Sequence, residues 1–286
     1  MKSIKLIHPL LTQGLIIDPH FCIGNLESEL HATFASSKQC GDYTVYVDNP
    51  DLNEQLDAYC EPVSSKEVIK PIVITGKTGN GKSSLLANWL QRHVADTKEN
   101  RTCLENEEFV FWHVGGCSRN STYVGRTLRR LMNGLKRHFD LSPDIDQSDE
   151  KLPWLFPRFL EMAAKKGRIL IVIDGLHRIR SEDGDSGIKW LPITFPQNVR
   201  VILSVTNMGF DGEILPNNNH HHSDLDKNGY AYNLETSANQ VLQEILRRKW
   251  QCIPLNSFDT FRVEMCVQQF LLSFGKKERI QNRENC

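Results

Sequence analysis

One stretch constrains this chain more than any other. Residues 76–83 read Gly76, Lys77, Thr78, Gly79, Asn80, Gly81, Lys82 and Ser83, a full match to the pattern G-x-x-x-x-G-K-[ST]. A random chain of this length contains such a match roughly once in a hundred, so the flanks decide its meaning. Before it, Pro71, Ile72, Val73, Ile74 and Thr75 are apolar on both faces, the pattern of a strand buried between two helix layers. After it, Leu85, Leu86, Trp89, Leu90 and Val94 fall on one helical stripe over about residues 83–96. A strand, a glycine loop and a helix in that order let backbone N–H groups approach phosphate oxygens. In such a site Lys82 reaches the β- and γ-phosphates and the Ser83 hydroxyl ligates Mg²⁺. The nucleotide-binding candidates are these eight residues together with Ser84.

A phosphate loop of this kind works with an acidic residue at the end of a second buried strand, which holds Mg²⁺. Residues 168–173 supply the strand, Asp174 follows at once, and Gly175 lets the chain turn away. Ser83 and Asp174 are the Mg²⁺ candidates. Hydrolysis also needs a group that orients the attacking water, usually a Glu beside that Asp. Here Gly175, Leu176, His177 and Arg178 follow, with no carboxylate until Glu182. The catalytic residue is therefore unknown. His177 is a candidate base at neutral pH, set against the plainer reading of a polar residue at a strand exit. Ser204 and Thr206, at the end of the strand expected at 199–205, have two readings, as sensors of the terminal phosphate or as partners for loop backbone groups.

Short apolar runs alternate with longer amphipathic stretches from Pro71 onward, the signature of a parallel sheet covered by helices. Strands are expected at 71–75, 109–114, 168–173, 199–205 and 230–234. Helices follow over 83–96, 124–139 (with Ser121 as its cap), 152–166, about 241–250 and 258–274. The expected organisation is an N-terminal extension over 1–65 that ends in a short helix, a core over 66–234, and a helical C-terminal segment over 235–286 with a frayed tail. Arg126, Arg129, Arg130, Lys136 and Arg137 give one helix a basic face, which reads as solvated rather than as a partner contact. His220, His221 and His222 sit in a low-complexity loop and read as structural rather than as a metal grip.

Composition narrows the partners. With 34 Lys and Arg against 35 Asp and Glu, the net charge of −1 creates no global field for nucleic acid or an anionic membrane. The eight cysteines contain no C-x-x-C pair and read as reduced thiols. No apolar run approaches the roughly 20 residues of a membrane span, and the first residues lack a signal-peptide pattern. A cytoplasmic chain without a membrane span is the expectation, with a nucleoside triphosphate as ligand and no nucleic acid.

The order of these elements resembles the additional-strand class of P-loop NTPases, in which the strand ending near Ser204 inserts between the phosphate-loop strand and the Asp174 strand. Within that class the chain resembles the STAND ATPases, specifically the NACHT-related group typified by nephrocystin-3 and telomerase-associated protein. The residues that carry this are 76–83 with 85–89, the run 111–116 (Phe, Trp, His, Val, Gly, Gly), 128–131, 171–176, and Trp190, Leu191 and Pro192 leading into 199–204. Residues 46–59 also look like the stretch that enters that group's NTPase core. The resemblance implies a three-layer α/β/α sandwich with a mainly parallel five-stranded sheet and a helical C-terminal portion. It implies ATP with Mg²⁺, protein partners, nucleotide-dependent oligomers and a signalling or assembly switch; association with cilia is implied by resemblance only. Many members carry acidic residues where this chain has His177 and Arg178, which implies slow turnover. Its counterpart is a hydrolysis-deficient nucleotide-binding scaffold. A small-molecule kinase is the third reading, and against it the sequence shows no acceptor site or Arg-rich lid.

Overall fold

Ile72–Gly76 forms strand β1 and is buried almost throughout, as its two apolar faces require. It lies inside a five-stranded sheet with β2 (Phe109–Val114), β3 (Ile169–Asp174), β4 (Val199–Thr206) and β5 (Gln251–Pro254). The order is β2-β3-β4-β1-β5 and every pairing is parallel. β4 thus inserts between β1 and β3, as the resemblance implies. The computed structural model describes residues 25–40, 45–63, 67–99, 108–181, 187–207 and 234–273.

Seven helices among the described residues cover the sheet: α1 (Asn25–Lys38), α2 (Pro50–Cys60), α3 (Lys82–Glu99), α4 (Val124–His138), α5 (Leu152–Ala164), α6 (Leu234–Arg247) and α7 (Thr260–Ser273). Strand alternation feeds two cores. Ile169, Ile171, Ile173, Val199, Val201 and Leu203 join Leu128, Leu131, Phe156, Leu160, Val241 and Ile245 on one face. Ile72, Ile74, Leu170, Val172 and Ile202 join Ala35, Leu52, Leu56, Leu86 and Trp89 on the other. Helices α1 and α2 therefore pack on the sheet as part of one layer. Tyr59 of α2 seals that layer, its hydroxyl accepting the Val201 N–H at 2.9 Å and donating to the Lys70 carbonyl at 3.0 Å.

Three expectations change. The fifth strand is Gln251–Pro254, not 230–234: Leu234 opens α6, and residues 230–233 lie outside those described. β5 is an edge strand in which only Ile253 is buried, so it lacks the apolar run that marks the others. It pairs with β1 through Ile72↔Gln251 and Ile74↔Ile253, which carries the sheet past residue 234. Second, α4 begins after Tyr123 without a side-chain cap. Ser121 is instead buried in the preceding turn, where its hydroxyl accepts the Gly116 and Ser118 N–H groups, each at 3.0 Å. Third, α1 falls in a region where the sequence shows no sustained period.

The basic face of α4 is largely paired within the chain. Arg126 and Arg129 face Asp149, Lys136 faces Asp144, and Arg130 is folded against Phe111. The residues 220–222 and the tail 274–286 lie outside those described. Among the described residues the five cysteines form no disulfide, and no helix is long and apolar enough to cross a membrane.

Candidate nucleotide site

The C-terminal ends of β1, β3 and β4 meet at one edge of the sheet, the place where open α/β sheets build ligand crevices. The loop after β1 turns through left-handed conformations at Gly79 (φ 90°) and Gly81 (φ 89°), which L side chains rarely adopt. Helix α3 starts at Lys82, so its unpaired first-turn N–H groups face the loop. Beside it lies a cavity of about 390 Å³, lined by Thr78, Gly79, Gly81, Lys82, Ser83, Ser84, Asp174, Gly175, His177, Arg178, Ser204 and Thr206, among others. The residues singled out on the two strand ends thus share one crevice with the glycine loop. Gly76, Lys77 and Asn80 of the loop are not among the lining residues.

Lys82 is buried, at 8 % exposure, and its ammonium donates to the Gly76 and Lys77 carbonyls at 2.7 and 2.9 Å. Burial lowers its pKa from the ordinary lysine value, the Asp174 carboxylate opposes that shift, and the Arg178 guanidinium adds to it. A buried cation in this setting gains from any anion brought into the crevice. Asp174 ends β3 at 4 % exposure, and its Oδ1 accepts from the Ser204 hydroxyl at 2.5 Å. The same hydroxyl accepts the Gly175 N–H at 2.8 Å, so Ser204 serves the backbone and the carboxylate together. Hydroxyl and carboxylate oxygens are the hard donors that suit Mg²⁺, and Ser83 and Asp174 fit such an ion.

His177 lines the same cavity at 4 % exposure. Its Nδ1 faces the Thr206 N–H at 3.5 Å, which makes Nδ1 an acceptor and places the neutral ring's proton on Nε2. Burial, reinforced by Arg178 and Lys82, pulls its pKa down to about 4. Among the described lining residues Asp174 is the one carboxylate.

Two contacts tie the crevice to the C-terminal elements. The Asn80 side-chain amide donates to the Leu255 carbonyl at 2.9 Å and its Oδ1 accepts from Ser257 at 3.3 Å, which fixes the segment between β5 and α7 on the loop itself. The Ser237 hydroxyl of α6 donates to the His177 carbonyl at 2.6 Å. Neither was legible from the sequence, which held no local sign that Asn80 and residue 255 would meet. Phe34 and Lys38 of α1 also line the cavity and were missed for the same reason.

Comparisons with known proteins agree with this geometry. A family profile described as the AAA ATPase domain matches residues 51–203, more than half of the chain. A TPR repeat-containing protein of Dictyostelium discoideum is 27% identical over 191 residues, which covers 53% of this chain and 11% of that protein. Human nephrocystin-3 is 32% identical over 145 residues, covering 50% of this chain and 10% of that protein. Mouse telomerase protein component 1 is 24% identical over 148 residues, covering 50% and 5%. The chain thus spans about a tenth or less of the length of these relatives. By the extent of the profile match, this chain belongs to the AAA ATPase domain family, as a nucleotide-binding P-loop module.

Proposed function

We propose that this module is a nucleotide-dependent switch of the STAND type, in which ATP with Mg²⁺ on the P-loop sets the position of the C-terminal helices. The observation that carries this reading is the grip of Asn80 on Leu255 and Ser257. A residue inside the phosphate-loop motif holds the chain segment entering α7. That helix keeps Phe261, Val263, Val267, Phe270 and Leu272 exposed, so a shift of its base changes what an apolar surface can meet. Gly76 adds to the coupling, since a Cβ there would lie 2.6 Å from the Leu255 carbonyl oxygen. A ligand that favours one arrangement by 1–3 kcal/mol biases it roughly 5–150-fold.

In this reading Gly76–Ser84 cradle the phosphates, Lys82 meets the β- and γ-phosphates, and Ser83 and Asp174 hold Mg²⁺, which neutralises phosphate charge. Limited proteolysis of the full chain with and without Mg²⁺ and a non-hydrolysable ATP analogue tests the coupling. The analogue should protect residues 234–273, and Lys82→Ala should erase that protection. Identical digestion of the wild type in both conditions sinks the switch.

The second reading is a scaffold that holds nucleotide without turnover. It is favoured by the His177 ring, whose Nδ1 is engaged by Thr206 and whose Nε2 carries a proton, a donor arrangement rather than a base. On this reading phosphate release is on the order of 10⁻³ s⁻¹ or slower, as in P-loop enzymes that lack a completing group. A release rate of about 1 s⁻¹ or more in single turnover removes it.

A further inference from the structure

Helix α1 lies before the segment that matches the AAA ATPase profile, yet it is fastened to the site at both ends. At its C-terminal end a single side chain, Asn88 of α3, donates to the Lys38 carbonyl at 3.0 Å and the Ser84 carbonyl at 2.7 Å, and accepts the Cys40 N–H at 2.8 Å. Toward its N-terminal end the Trp112 indole donates to the His31 carbonyl at 3.2 Å, the Val114 N–H donates to His31 Nδ1 at 2.9 Å, and the Ser118 hydroxyl donates to Glu27 at 2.5 Å. One potential ligand atom from each of Glu27, His31 and Cys117 lies within 4.8 Å of the others, a spacing also found around metal ions. The Val114 bond fixes His31 as an acceptor at Nδ1 and leaves the Nε2 proton facing Glu27, 3.4 Å away, so this cluster is a hydrogen-bonded latch.

The latch sets where one helical turn of α1 sits. Phe34 and Lys38, at i and i+4, both line the P-loop cavity, whose wall also includes Ser83, Ser84, Val114 and Gly115. The Lys38 ammonium lies 5.4 Å from the centroid of the Phe34 ring. With Lys38 counted, three cations (Lys38, Lys82 and Arg178) surround a crevice whose described lining holds a single carboxylate, Asp174, and a neutral His177. A net positive crevice matches a Mg²⁺-bound triphosphate, which remains an anion. Lys82 belongs to the loop, whereas Lys38 comes from the end of α1, whose carbonyl is held by Asn88 of α3.

We propose that Lys38 is a third cation of the phosphate site and binds the terminal phosphate, so that α1 is a built-in reader of triphosphate against diphosphate. This rests on the P-loop reading above. Phe34 lies beside the Lys38 ammonium and lines the same crevice. Reciprocity follows: whatever affinity Lys38 adds for triphosphate, triphosphate returns as tighter docking of α1.

The test is titration of the full chain with a non-hydrolysable ATP analogue and with ADP, each with Mg²⁺, for wild type, Lys38→Met, Lys38→Arg and Lys82→Ala. Thermal melting without nucleotide checks that each variant folds. The expected result is that Lys38→Met weakens the triphosphate about 10-fold or more and ADP by no more than about twofold, while Lys38→Arg keeps most of the discrimination. Hydrogen exchange across residues 25–38 should slow with the triphosphate analogue in wild type and not in Lys38→Met. If Lys38→Met keeps the wild-type ratio of the two affinities while Lys82→Ala loses both ligands, Lys38 is outside the site and the P-loop reading stands. If wild type binds neither ligand, the P-loop reading falls and Lys38 falls with it.

Discussion

The Ser204 hydroxyl lies 2.5 Å from Asp174 Oδ1 and donates to it across the β3–β4 pairing, while accepting the Gly175 N–H at 2.8 Å. One side chain therefore fixes the rotamer of the carboxylate and the turn that follows it. Outer-shell partners of this kind typically contribute 10–100-fold to metal affinity. Ser204→Ala should raise the Mg²⁺ concentration needed for half-maximal nucleotide binding by about 10-fold. A Mg²⁺ titration superimposable on that of the wild type would show that Asp174 needs no such support.

Three histidines are held neutral inside the fold. His31 is pulled down to about 2, by burial first and then by Arg130. His177 is pulled to about 4 by burial, Arg178 and Lys82. His113 lies well below its ordinary 6.5 through burial, with His31 and Arg130 adding to it. In the unfolded chain each takes up a proton near pH 6.5, so below that pH the unfolded state binds more protons and stability falls. Each contributes a slope of about 1.4 kcal/mol per pH unit, and His177 alone accounts for roughly 3 kcal/mol lost between pH 6.5 and 4. Urea unfolding at pH 7.5 and 5.5 checks this: the midpoint should drop sharply at the lower pH, and His177→Asn should flatten the slope by about one proton. Equal midpoints at the two pH values would mean that these rings are solvated.

Gly115 follows β2 at the wall of the crevice. A Cβ there would stand 2.5 Å from the Gly175 carbonyl oxygen and 3.2 Å from both Arg178 Cβ and Ile179 Cγ1. Backbone has to move to relieve that contact, and the backbone in question carries the turn after Asp174. Gly115→Ala should destabilise the fold by about 1–3 kcal/mol and weaken nucleotide binding as well. Chemical denaturation and nucleotide titration of the same variant check both effects, and a variant with wild-type stability would mean that the turn is pliant.

What could be read in advance was what the chain writes locally. The loop at 76–83 declared itself by residue type, and β1, β3 and β4 by short, mainly apolar runs that carry apolar residues on both faces because both faces are covered. Asp174 followed from the end of such a run. β5 did not declare itself, because Gln251 and Pro254 are exposed and β1 supplies its pairing. Residues 230–234 looked more strand-like in isolation than this edge does. α1 was hidden because its helix is weakly amphipathic and its meaning is long-range: Asn88, fifty residues on, decides where Lys38 stands. The His177 tautomer likewise depends on Thr206, which no spacing rule connects to it.

The phosphate site is the claim on which the rest depends, and titration of the full chain with a fluorescent ATP analogue, with and without Mg²⁺, tests it most directly. Saturable binding that Mg²⁺ strengthens and that Lys82→Ala abolishes is the predicted result. Absence of saturable binding, or binding indifferent to Lys82→Ala, would contradict the account.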